Sequence, residues 1–185
     1  MLLKEITGVV DAQAAIEVVE NIKKNCQPFI KEWGGVPHPD QALYRGIDIV
    51  WPHYIFNTQP KRKPMGMNLK AQSELDDFFQ QEYGHKYRSE YVVFCTGNEA
   101  HTQMFGEPHV IFPVGNFSYL WSPDINDINF SFILKMVHEV IDESRFIHNR
   151  LLSDVADHEV MINVKSYYAI PIKVYKRSIY PLLIK

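Results

Sequence analysis

The chain has 185 residues, 46% of them hydrophobic, which suits one compact domain with a full core and leaves little room for a second. With 19 basic and 22 acidic side chains the formal charge is −3 at pH 7, so no overall positive field draws it to nucleic acid or to an anionic membrane surface. Two cysteines, Cys26 and Cys95, cannot by themselves build a disulfide framework or a four-ligand zinc site. The apolar part of the N-terminus is too short for a signal peptide, and no apolar run approaches a membrane span. The expected setting is therefore cytoplasmic, with no membrane partner.

In chain order, Asp11 is a candidate N-cap for a helix that carries Ala15, Ile16, Val19, Ile22 and Cys26 at helical spacing. Pro28 kinks or ends it, and Gly34 and Gly35 stop the turn that holds Phe29, Ile30 and Trp33. Ala42 to Gly46 reads as a short buried strand. From Trp51 to Leu69 the prolines, Gly66 and two asparagines favour an irregular loop, with Lys61-Arg62-Lys63 a solvated basic run. Ser73 and Asp76 signal a helix start, Leu75, Phe78, Phe79 and Tyr83 its apolar face, and Gly84 its stop. Tyr91 to Cys95 is a strand, Ala100 to Phe105 a short helix, and His109 to Val114 another strand.

A further helix is expected to begin near Asp127, with Ile128, Phe132, Ile133, Met136, Val137, Val140 and Ile141 on one face. Strands are expected over Val160 to Val164, Tyr167 to Ile170 and Ile172 to Tyr175. Helices early and in the middle, with strands interleaved and then gathered at the end, point to an α+β fold.

Three segments carry candidate chemistry. Arg45 sits in an apolar run, where a guanidinium needs either a structural carboxylate or a ligand's phosphate oxygens. Thr96 ends a strand ahead of Gly97-Asn98, as a turn residue bonding to nearby backbone or as a site hydroxyl. Asp157 and Glu159 stand two apart before a strand, either in an ordinary acidic loop or as a carboxylate pair of the kind that serves oxocarbenium-like transition states. Cys95 with His101 or His109 offers a thiol–imidazole pair, against the more common inert core cysteine. Tyr119, Trp121, Tyr167 and Tyr168 could stack on a base, or be core and rim.

Leu43-Tyr44-Arg45-Gly46, Phe94-Cys95-Thr96-Gly97 with Ala100 and Phe105, and Asp157-x-Glu159-Val160-Met161-Ile162 occur in that order. Together they resemble the three-part signature of the arginine-serine-glutamate, toxin-like ADP-ribosyltransferases, most closely the small members from bacteriophages and bacteria. The first segment matches fully. The second has Cys95-Thr96-Gly97 where the family carries serine-threonine-serine, and the third has Asp157 where a longer side chain is usual.

The resemblance implies a split, mixed β-sheet core with flanking helices in one domain over 1–185, helical over about 1–40 and catalytic over about 42–175. It implies NAD as substrate, bound through Arg45, Gly46, Tyr44 and Thr96, with Thr96 orienting a catalytic Glu159 and Asp157 facing the acceptor. The expected acceptor is a host protein, through arginine, with a nucleic-acid acceptor left open; for a phage protein the setting is the cytoplasm of the infected bacterium. The departures in the second and third segments set a rival beside this reading, a catalytically silent protein of the same fold that binds or inhibits.

Overall fold

The computed structural model describes residues 12–48, 54–63, 67–127, 137–149 and 155–185. The expected Asp11 cap, the stretch from Ile128 to Met136 and parts of the segment after Trp51 lie outside the described residues. Seven strands form one sheet: β1 (Tyr44–Ile47), β2 (Ile55–Asn57), β3 (Val92–Thr96), β4 (Glu107–Pro113), β5 (Ser118–Trp121), β6 (Glu159–Asn163) and β7 (Ser166–Pro171). Their spatial order is β2-β7-β4-β1-β3-β6-β5, and every described pairing is antiparallel. The α+β class is thus observed, and the expected mixed sheet is corrected to an antiparallel one. β1 and β3 share one register pair, Tyr44 with Thr96, whereas β1 and β4 share four. A four-stranded and a three-stranded half therefore meet at a single point.

Helices cover both faces. On one lie α1 (Ala12–Asn25), α2 (Gln27–Trp33) and a C-terminal helical run. α1 buries Ala15, Val18, Val19 and Ile22, while Ile16, expected inside, is exposed, and Lys23 and Lys24 suit the negative end of the helix dipole. Pro28 does not merely end that helix; it occupies the first turn of α2, where a missing N–H is harmless. Gly34 closes α2 at φ 84°, its N–H reaching back to Ile30 and Lys31 carbonyls. Phe29 then packs edge-on against Phe112 of β4 at 5.7 Å.

The expected strand over Ile172 to Tyr175 is instead helical. β7 ends at Pro171, which has no N–H for the ladder, and Ile172, Tyr175, Ile179 and Leu183 recur every three to four residues and are buried. Two positions of apparent alternation had masked that longer period.

On the other face, α3 (Leu69–Tyr83) and α5 (Val137–Glu143) bury Leu75, Phe79 and Val140 against Val92, Leu120 and Met161. α3 starts a turn earlier than expected: Asn68 is the N-cap, its Oδ1 accepting the Ala71 N–H at 2.8 Å. Ser73 is exposed inside the helix and Asp76 is buried, so these two are not the cap. Gly84 stops α3 at φ 78° as expected. Between β3 and β4 lie the short α4 (Glu99–Thr102) and a 3-10 turn, Gln103–Phe105. Two strands escaped the sequence reading. β2 lies in the expected loop and is three residues long, and β5 begins just past Gly115 and Asn116. No helix among the described residues is long and apolar enough to cross a membrane.

Asn68→Ala should lower stability by about 1 kcal/mol, the usual value of an N-cap, and Ser73→Ala should be near neutral. Urea denaturation of both variants checks the start of α3; equal effects would move it back to Ser73.

Candidate functional site

The meeting point of the two half-sheets brings the three sequence segments together. Tyr91 O accepts the Val164 N–H, so by strand alternation the Phe94 carbonyl faces β1 and not β6. β1 has diverged there, and the Arg45 guanidinium supplies the missing donor, Nη1 to Phe94 O at 2.9 Å. Among the described residues no carboxylate pairs with Arg45. One strand over, Thr96 stands directly opposite Glu159 across β3 and β6, on the same face of the sheet.

Glu159 is 16% exposed, and its Oε1 accepts Arg88 Nη1 at 2.7 Å, Arg88 itself being only 5% exposed. Arg88 is fixed from several sides. Its backbone N–H donates to Asp76 Oδ1 at 2.8 Å, Nη1 also approaches Met161 Sδ at 3.6 Å, and the guanidinium lies 4.5 Å from the centre of the Phe94 ring. Burial lifts Glu159 above the ordinary glutamate range; Arg88 opposes the lift and Asp127 adds to it. Burial also raises Asp76, against hydrogen bonds from Ser89 and Arg88. On its other side Glu159 borders a void of about 10 Å³, lined by Ser122, Ile125, Phe146 and Met161, about the room of one water.

Arg62 belongs to the same cluster and not to a solvated run. Lys61 and Lys63 are exposed, but Arg62 is half-buried, with its guanidinium 4.3 Å from the Phe94 ring centre. Its backbone is strapped in place, N–H to Ser89 O at 2.7 Å and carbonyl to Gln72 Nε2 at 3.1 Å. Burial brings its pKa down to about 10, the like charges of Arg45 and Arg88 push the same way, and Glu159 opposes them.

Thr96 and Asp157 meet in a turn. The Thr96 hydroxyl donates to Asp157 O at 3.4 Å and accepts the Asn98 N–H at 3.2 Å, so the bond expected from Thr96 to Glu159 is made by Arg88 instead. Asp157 is not in the strand. Its exposed carboxylate accepts Asn98 Nδ2 at 2.9 Å, while Asn98 Oδ1 caps α4 through the Ala100 N–H. Gly97 is required here: a Cβ would lie 2.0 Å from Ala156 O. Ala156 itself sits at φ 46°, a strained conformation for a residue with a side chain, next to Asp157.

Two positions expected to bind NAD have structural duties. Tyr44 is 1% exposed, and its hydroxyl donates to Pro39 O at 2.7 Å. Gly46 lets α4 and the 3-10 turn lie against β1, since a Cβ there would stand 2.2 Å from Thr102 O. Cys95 is buried opposite Val160, and burial pushes its thiol up to about 12, so it is no nucleophile at neutral pH. His109 is buried and its pKa lowered by that burial, with Nδ1 2.7 Å from Glu107 O. Tyr119, Trp121, Tyr167 and Tyr168 are all buried. A groove of about 510 Å³ lies between α2 and β5, lined by Pro28, Glu32, Phe117 and Tyr119, with none of the motif residues on it.

Sequence reasoning thus missed Arg62, Arg88, Phe94 and Asn98 as site residues. Arg88 lies between two helical and strand signals without an apolar run of its own, and Arg62 is flanked by lysines; only their common approach to Phe94 distinguishes them. Searches against family models, curated proteins and solved structures return no match, so any function must be argued from these residues.

The raised Glu159 has a sign that can be measured. Between its ordinary value of 4.5 and the raised folded value, the folded chain holds a proton that the unfolded chain has released. Stability from this group is therefore present below that window and lost as pH rises through it. Asp76 acts in the same direction but is common to parent and Glu159→Gln. The parent's urea midpoint should fall relative to that of Glu159→Gln as pH climbs from about 4; a pH-independent difference would assign Glu159 an ordinary pKa.

Proposed function

We propose that the chain is an NAD-dependent mono-ADP-ribosyltransferase that releases nicotinamide and transfers ADP-ribose to a macromolecular acceptor, by preference a protein arginine. The observation that carries this reading is the alignment of Arg45, Thr96 and Glu159 on three neighbouring strands, with Thr96 directly across from Glu159. In the reaction the bond between ribose C1′ and the nicotinamide nitrogen breaks, the electron pair leaves with nicotinamide, and positive charge develops on the ribose. A preorganised carboxylate stabilises that charge more in the transition state than in the ground state. Glu159 is the carboxylate for this role, held by Arg88, which opposes the upward push of burial on its pKa. Arg45 offers a planar fork to the dinucleotide. Asp157, exposed and steered by Asn98, is in reach of solvent, where an acceptor guanidinium would give up its proton.

One observation favours a second reading, a silent protein of this fold that binds or inhibits. The Glu159 carboxylate is already engaged by Arg88 at 2.7 Å and the Thr96 hydroxyl by backbone. Nicotinamide release from labelled NAD, in the presence of bacterial extract, separates the two. The transferase reading expects release by the parent and a loss of about a hundredfold or more in Glu159→Gln, with label mapped by mass spectrometry to arginine. No release by the parent would favour the silent module, and label on asparagine, cysteine or a nucleotide would replace the arginine acceptor.

A further inference from the structure

The groove of about 510 Å³ between α2 and β5 has Glu32, Asn116, Phe117, Tyr119, His148 and Asn149 among its lining residues, and its size falls within the range of about 300–1,000 Å³ that small-ligand sites occupy. It lies on the other face of the sheet from Glu159. Tyr119 stands across from Ile162 on β6, and Ile162 and Glu159 are an odd number of residues apart, so their side chains point to opposite faces. Glu32 is half-buried, and its Oε1 accepts the Tyr119 hydroxyl at 2.6 Å. The proton stays on Tyr119, whose pKa is raised by burial and by Glu32 itself. Among the described residues no lysine, arginine or histidine pairs with Glu32, and its Oε2 has no hydrogen bond. Phe117, also half-buried, is held on two sides, edge-on by Phe29 at 5.8 Å and stacked with Tyr119 at 6.1 Å.

We infer that this groove binds a guanidinium-bearing ligand, with Glu32 as its anion and Phe117 as its stacking face. A half-buried carboxylate with one oxygen satisfied gains from a cation at the other, and the chain's net charge of −3 favours a cation over an anion. A guanidinium is flat and more weakly hydrated than an ammonium. It can therefore lie on an aromatic ring while its edge donates to Glu32 and to the amide oxygens of Asn116 and Asn149, both exposed. The two walls are set before any ligand arrives. Gly34 closes α2, and β5 is paired with β6 along its four residues, which lowers the ordering needed on binding. The site shares no residue with the transferase reading and does not rest on it.

Calorimetric titration of the full chain with butylguanidine, butylamine and butyrate, carried to about 10 mM so that a weak single site saturates, puts this to the test. Butylguanidine should bind the parent, butylamine more weakly and butyrate not at all. Glu32→Gln keeps an acceptor for Tyr119 but removes the charge, and should weaken butylguanidine by about tenfold. Phe117→Leu keeps an apolar side chain but removes the ring, and should weaken it by about threefold. Glu17→Gln, exposed on α1, should bind as the parent does. If one groove variant does not fold, the other carries the comparison. The inference is overturned if butylguanidine does not bind, if butylamine binds as tightly, if the Glu32 and Phe117 variants match the parent, or if Glu17→Gln loses as much. Two further titrants identify the source of the guanidinium. A short neutral peptide carrying one arginine that binds more tightly than agmatine assigns the groove to a protein's arginine; the reverse order assigns it to a small guanidino compound.

Discussion

The pairing of Tyr44 with Thr96 is the constraint on which the rest of the site depends. It is the one register pair joining two half-sheets, and beyond it β1 and β3 separate, leaving the Phe94 carbonyl without a strand partner. A carbonyl withdrawn from water cannot be left unpaired without a penalty, about 1–3 kcal/mol for one fully buried, and that of Phe94 is part-buried. Arg45 meets that need, and in doing so brings a guanidinium to the point where Thr96 faces Glu159. The opening in the sheet and the cation beside Thr96 and Glu159 thus have one cause.

The charges follow from the same geometry. A carboxylate that is 16% exposed needs a partner, and Arg88 provides it from the turns between α3 and β3, its backbone held by Asp76. Removing either member of such a pair is more damaging than the pair is stabilising, because the survivor stays buried and charged. Glu159 therefore has both a structural and a chemical environment: lifted by burial, restrained by Arg88, and bordered by a void of about one water. The turn that carries Asp157 has a comparable economy. Ala156 is strained and Gly97 must lack a side chain, so that Asn98 can cap α4 and hold Asp157 at once.

Several elements were legible from local pattern because local physics controls them. Gly34 and Gly84 end helices through left-handed geometry that a side chain disfavours, and the β-branched run ending at Cys95 is a strand as expected. Where reading by pattern failed, a longer-range contact had overridden it. Asp76 resembles a helix-start acid, but it is buried to bind the Arg88 backbone, twelve residues on. β5 is short and sits at the sheet edge, where its partner β6 comes from far along the chain. The helix after Pro171 shows its three-to-four spacing only when Ile179 and Leu183 are counted.

From the sequence alone came the α+β class, the order of the three motif segments, and Arg45, Thr96 and Glu159 as the residues to watch. Each of those is announced by its own neighbours, an apolar strand with a charge or hydroxyl placed where none is expected. Only the tertiary structure decided that Arg88 and not Thr96 holds Glu159, that Tyr44 and Gly46 serve the core and the α4 contact, and that Arg62 leaves its basic run to stand over Phe94. Apart from the short reach of Tyr44 to Pro39, these are pairings between segments dozens of residues apart. A guanidinium carries no local mark of which ring or carboxylate the folded chain will bring to it.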